Sequence, residues 1–209
     1  MNTLQTTPSP APRKTSSKAT GTIRRLWPTE ISKVGDHLLR LDKESRRDRF
    51  AHAVTDSFIT DYASRLGDQG SIVYGYIVDG HVRAVAEMRK LGDHWGTEAE
   101  AAFSVEKEYQ DQGVGSDLMG RIVRAARNRG LQRLYMSCLA QNTKIQAIAR
   151  KYEAQLRLEY GEVIGEIIPE AADYLSMFAE AVEDRVGFMM AVLELQTRMA
   201  KAVDMRAAG

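Results

Sequence analysis

Residues 109–120 read Tyr109-Gln110-Asp111-Gln112-Gly113-Val114-Gly115-Ser116-Asp117-Leu118-Met119-Gly120, or YQDQGVGSDLMG. A polar loop gives way here to a run in which Leu118, Ile122, Val123 and Ala126 recur at helical spacing, which predicts a helix over about 114–128. Glycine at a helical position costs ~1 kcal/mol relative to alanine, so Gly113 and Gly115 ask for a reason. The first amides of a helix have no partner within it and carry the positive end of its dipole. With side chains removed, a phosphate can rest on them directly. On this reading a pyrophosphate touches the amides of residues 112–116, and Ser116 adds a hydroxyl. The loop is not a P-loop, because no Gly-Lys-Ser/Thr follows, and Gly120 comes two positions late for G-x-G-x-x-G. A plain helix start with flexible glycines is the competing reading of the loop by itself.

Working outward, Thr22–Pro28 predicts a short strand. A helix follows, capped by Thr29 or Ser32, with Ile31, Val34, Leu38, Leu39 and Leu41 on one face and the charged run Asp42–Phe50 continuing it. Thr55–Leu66 predicts a second helix. Ser71–Leu91 splits at Asp79-Gly80, the dipeptide of a tight hairpin. With Glu98–Val105 it predicts a three-strand antiparallel meander. Beyond the quoted helix, which Gly130 ends, come a strand over Leu131–Leu139 and a helix capped by Asn142 or Thr143. Two short strands over 156–168 and a long helix from Pro169 complete the chain. This is an α/β chain with a mixed sheet, unlike the strict alternation of a dinucleotide-binding fold. It divides into a tail (1–21), a domain (22–168) and a helical extension (169–209).

The composition narrows the function. Of 209 residues, 44% are hydrophobic and the formal net charge is +1, which gives no bulk attraction to nucleic acid or membrane. A single cysteine, Cys138, allows no internal disulfide and no multi-cysteine metal site. The histidines 37, 52, 81 and 94 form no ligand pair, so no metal is expected. The N-terminal segment has no secretory signal pattern, no run suggests a membrane span, and a cytoplasmic setting is expected.

Gln110-Asp111-Gln112-Gly113-Val114-Gly115 is similar to the Q/R-x-x-G-x-G/A acyl-CoA loop of the GNAT acyltransferase superfamily. AEAAFSVEKEYQDQGVGSDLM and LYMSCLAQNTKIQAIARKYEAQL resemble the strand–helix pairs on either side of that family's cofactor cleft. LDKESRRDRF resembles the GNAT domains of bacterial protein-lysine acetyltransferases and their stand-alone relatives. The resemblance covers roughly Thr22 to Pro169. It implies an N-acyltransferase fold in which a CoA thioester lies between splayed strands, Glu98–Val105 and Leu131–Leu139. Acetyl-CoA is the implied cosubstrate and an amine, a protein lysine or a small molecule, the acceptor. The implied CoA-binding set is Phe103, Ser104 and Val105, whose amides would polarise the thioester carbonyl, with Gln110, Asp111, Gln112, Gly113, Val114, Gly115, Ser116 and Asn142. Asn142 reads equally well as a helix cap.

An amine attacks only after losing its proton, so a base is needed. Alternation along the strand puts Glu98, Glu100 and Ala102 on one face. The resemblance places the general base at Glu100, with Glu98 as backup. The competing reading of Glu100 is a cross-strand ion pair with Arg89 or Lys90. The tyrosine that many relatives use as general acid falls at Ala149 here, and Tyr152, one turn on, is a weak substitute. Cys138 reads as a core residue rather than a nucleophile. A catalytically silent acyl-CoA sensor or interaction module is the alternative function. The final helix carries Leu175, Phe178, Val182, Val186, Met189 and Leu193 in one stripe, with Phe188, Met190, Leu195 and Met199 off it. It is expected to pack on the core and contribute to a homodimer.

Overall fold

The protein is described by a computed structural model that covers residues 21–66, 70–92 and 94–207; side chains are described for these except those of residue 198 and residues 201–207. The expected tail, residues 1–21, lies outside the described residues apart from Gly21. The chain opens with β1 (Thr22–Arg25), α1 (Ser32–Arg40), α2 (Lys43–Phe50) and α3 (Asp56–Leu66). The meander is β2 (Ile72–Val78), β3 (His81–Lys90) and β4 (Glu98–Val105). Then come α4 (Val114–Asn128), β5 (Arg133–Leu139), α5 (Thr143–Lys151), β6 (Gln155–Glu159), β7 (Glu162–Ile167) and α6 (Tyr174–Ala207).

Two local expectations are corrected. Neither Thr29 nor Ser32 caps α1. A 3-10 turn at Pro28–Glu30 leads into it, and Ile31 occupies the cap position without a side-chain bond. The run after Leu41 does not continue α1. Asp42 takes extended backbone and accepts from the Ser45 amide at 3.0 Å, starting α2 as a separate helix. That break turns α2 across the sheet, where it packs on both β4 and β5.

All seven strands form one sheet in the order β1-β2-β3-β4-β5-β7-β6, parallel only at β4–β5. Asp79 and Gly80, at φ 50° and 76°, make the hairpin between β2 and β3. Alternation sorts the side chains into two layers. Tyr74, Ala84, Ala86, Met88, Ala99 and Ala101 face Leu118, Met119 and Ile122 of α4. Val73, Val82 and Val85 face Val34 and Leu38 of α1 and Ile59 and Leu66 of α3. Each such aliphatic side chain contributes about 1.5–3 kcal/mol when fully buried.

The long helix α6 lies against β1 and α4 through its charged face. Glu180 meets Arg129 at 2.8 Å, Asp184 meets Arg25 at 2.8 Å, and Glu194 meets Lys33 at 2.9 Å. Glu183 pairs with Arg121 and Arg124. Phe188 packs edge-on against Trp27, and Ala191 is buried. The stripe Leu175, Phe178, Val182, Val186, Met189 and Leu193 points the other way, into solvent.

Candidate active site

The parallel pair β4–β5 holds together only at Glu98–Arg133, Ala99–Leu134 and Glu100–Tyr135. Beyond Glu100 the strands part. β4 stays paired with β3 through Val105, and β5 stays paired with β7 through Leu139. The facing edges of residues 101–105 and 136–139 have no partner strand. Such backbone groups need other partners, and a peptide-like arm inserted between the strands would supply them. A cavity of about 450 Å³ occupies the gap.

At one end of the cavity lies the glycine loop, and the two glycines are there for different reasons. Gly113 has φ 86°, a left-handed conformation costly for any residue with a Cβ, and a Cβ there would meet nothing. Gly115 has ordinary helical backbone, but a Cβ would come within 3.1 Å of Ile148 Cδ1, so its bareness lets α4 approach α5. Among the described residues, no backbone or side-chain acceptor engages the amides of residues 112–116; the first amide with a backbone partner is that of Asp117, bonded to the Gly113 carbonyl. A run of free amides at a helix N-terminus fits a pyrophosphate.

The other expected binding residues are placed as follows. Phe103, Ser104, Val105, Gln110, Asp111, Gly113, Gly115, Ser116 and Asn142 line the cavity. Gln112 and Val114 do not; Gln112 turns back to the Glu108 carbonyl, and the Val114 side chain is buried. Gln110 ties the loop to β4 by donating to the Val105 carbonyl at 3.1 Å. Asn142 caps α5, accepting from the Ile145 amide at 3.3 Å, while still facing the cavity. Asp111 would oppose an anion, but Lys144 Nζ sits 2.7 Å from its carboxylate and 3.2 Å from Gln110 Oε1. Lys151 Nζ lies 3.3 Å from Ser116 Oγ. The loop thus has two neighbouring ammonium groups, both from α5.

Of the acid–base candidates, Glu100 lines the cavity at the point where the strands separate, and its carboxylate also receives Arg89 at 2.9 Å. Glu98 lies outside, bonded to Arg133 at 2.8 Å. Tyr152 also lies outside; its hydroxyl donates to the Ser116 carbonyl at 2.8 Å and serves the α4–α5 contact. Cys138 faces the cavity, where burial and the charge of Asp48 push its thiol up.

Three features of this region were not read from the sequence. Glu87, fully buried on β3, accepts from Arg49 at 2.9 Å and from Tyr62. Burial pulls the Arg49 pKa down, yet the Glu87 charge outweighs it and holds the guanidinium protonated. His37, also fully buried, bridges Ser104 Oγ at 2.9 Å and Glu106 at 3.1 Å. Burial lowers its pKa against the raising effect of Glu106. Its place beside Leu38 on an apolar helical face was a readable signal. Lys144 carried none, being 33 residues from Asp111.

A seven-strand sheet split beside a glycine loop defines an acyl-CoA acyltransferase architecture. The profile of the Acetyltransferase (GNAT) family matches residues 36–153, and the chain belongs to that family. It is 32% identical over 91 residues to Acetyltransferase Pat of Mycolicibacterium smegmatis, covering 43% of this chain and 27% of the relative. The match therefore spans about a quarter of that protein. The fold is similar to that of the GNAT domain of S. lividans PAT, with a TM-score of 0.60 and 21% identity over 71% of this chain and 90% of the other. It is also similar to YncA of Salmonella typhimurium, solved with its cofactor acetyl-CoA, with a TM-score of 0.56 and 14% identity over 73% and 96%.

Proposed function

We propose that the protein transfers an acetyl group from acetyl-CoA to a primary amine, a protein lysine or a small-molecule amine, by direct attack. The observation that carries this reading is the split between β4 and β5 opening onto the free amides of residues 112–116. In this reading the pyrophosphate rests on those amides, with Lys144 and Lys151 beside them. The pantetheine arm fills the gap and bonds the unpaired strand edges. The thioester lies near Phe103, where free β4 amides stabilise charge developing on the carbonyl oxygen.

The acceptor enters beside Glu100, which takes its proton, directly or through water. The nitrogen then bonds to the carbonyl carbon, and the carbon–sulfur bond breaks. CoA leaves as the thiolate, the nitrogen sheds its second proton to solvent on becoming the amide, and the thiolate is protonated from solvent, because Tyr152 is engaged elsewhere. Arg89 keeps Glu100 in place and must share it with the incoming amine. Cys138 has no part in the reaction, since a thiol pushed up in pKa by burial is a poor nucleophile.

The test is acetyl-CoA consumption, followed by thiol release, with lysine peptides, polyamines and amino acids as acceptors. Amine-dependent turnover is expected. Tight acetyl-CoA binding without turnover on any amine would favour the silent sensor instead, a reading to which the Arg89–Glu100 pair lends some weight.

A further inference from the structure

Three carboxylates line the cavity, and their partners differ. Glu100 is paired with Arg89 and Asp111 with Lys144. Among the described residues no hydrogen bond or ion pair reaches the carboxylate of Asp48. Asp48 sits in the last turn of α2, which lies across β4 and β5 where they part. Its neighbour Arg49 is committed to Glu87 and Tyr62, so that turn is anchored and Asp48 is left facing the cavity. Burial and the nearby Glu44 charge raise the Asp48 pKa, against the lowering effect of the Arg47 and Lys144 charges, neither of which bonds to it. A half-buried carboxylate with no cation bonded to it carries a desolvation cost that an incoming ammonium would offset.

We propose that Asp48 is the acceptor-recognition residue, receiving the acceptor as an ammonium ion and so selecting cationic amines such as lysine side chains or polyamines over amino acids, whose own carboxylate it repels. This rests on the amine-acceptor reading above, and equilibrium binding tests it without any need for turnover. Titration of the CoA-saturated protein with Nα-acetyl-lysine amide and with spermidine should show binding of at least one. Asp48→Asn should weaken that binding at least 10-fold, Asp48→Glu should restore most of it, and the affinity for acetyl-CoA should change less than 3-fold. Equal affinity in Asp48→Asn, or no binding of either amine, overturns the proposal. Turnover with unchanged amine affinity in Asp48→Asn would overturn it while leaving the transferase reading intact.

A second inference comes from α6. Its charged face is turned inward, and the stripe Leu175, Phe178, Val182, Val186, Met189 and Leu193 is 44–82% exposed. The spacing repeats after 11 residues, close to three turns, so the ridge runs straight for about 27 Å at 1.5 Å per residue. Reflected about residue 184 it nearly matches itself, with Leu175 opposite Leu193 and Val182 opposite Val186. An isologous pair requires such self-complementarity. Arg185 is the one charged side chain close beside the stripe between residues 175 and 193, so two copies meet without opposing rows of like charge. Burying the ridge on both copies removes roughly 1,000 Å², about what a specific interface needs.

We infer that this ridge is an antiparallel homodimer contact. Light scattering should give a dimer at about 100 µM, and both Val186→Asp and Phe178→Ser should give a folded monomer with thermal midpoints close to that of the parent. A monomeric parent, or dimers that survive both substitutions, overturns the inference.

Discussion

Glu100 and His37 show how one sheet face divides its work. Glu100, at the mouth of the split, lines the cavity that the proposed acceptor would enter. Loss of a general base costs about 10²–10⁴-fold in rate, so Glu100→Gln should lower kcat by that range while the Kd for acetyl-CoA changes less than 3-fold; undiminished kcat would remove Glu100 from the mechanism. His37 is structural, supporting β4 from below through Ser104. Its pKa is lowered in the folded protein, first by burial, whereas the unfolded chain binds a proton near 6.5. The stability this neutral ring contributes is full above pH 6.5 and falls as pH drops toward the folded-state value. Burial raises the Glu106 pKa, but the bonds from His37 and Arg83 prevail and leave it below 4.5, so its contribution is lost at lower pH still. Thermal midpoints should therefore fall between pH 7 and 5.5, and less steeply in His37→Gln. Equal slopes in the two proteins would contradict this account.

Among the elements, the α4 start shows what sequence could and could not reveal. The helix bounds, the Asp79-Gly80 hairpin and Gly130 beyond the helix end, at φ 68°, were legible because each is a local rule of spacing or backbone conformation. The separate roles of Gly113 and Gly115 were not, since one is fixed by φ and the other by Ile148, 33 positions away. For the same reason the Asp111–Lys144 pair and the Arg49–Glu87–Tyr62 cluster were hidden: they join elements distant in the chain. The break between α1 and α2 was missed although Asp42 is a standard capping residue, because the charged run after it kept helical character. Gly113→Ala, forced to keep its left-handed backbone, should cost about 1–2 kcal/mol in urea unfolding. A cost within error of zero would mean that the loop can leave this conformation without penalty.

Across the whole molecule, α6 is the element least tied to the hydrophobic core. It is held largely by ion pairs to Arg24, Arg25, Lys33, Arg121, Arg124 and Arg129. Partly exposed pairs are worth about 0–1 kcal/mol each and weaken with salt. Hydrogen exchange in α6 should accelerate on going from about 0.1 M to 1 M salt, while β2–β5 amides stay protected. Salt-independent exchange in α6 would show that apolar contacts such as Trp27–Phe188 dominate its docking. The sequence showed the apolar stripe but not its direction, because the arginines that draw in the opposite face come from β1 and α4.

The most direct test of the central claim is calorimetric titration with acetyl-CoA of the parent protein and of Ser116→Glu, which adds a carboxylate beside the free amides without disturbing either glycine. Binding by the parent, weakened at least 10-fold by the substitution, is the predicted result. Absence of binding to the parent, or equal binding to both proteins, would contradict the claim that the split and its glycine loop hold the cofactor.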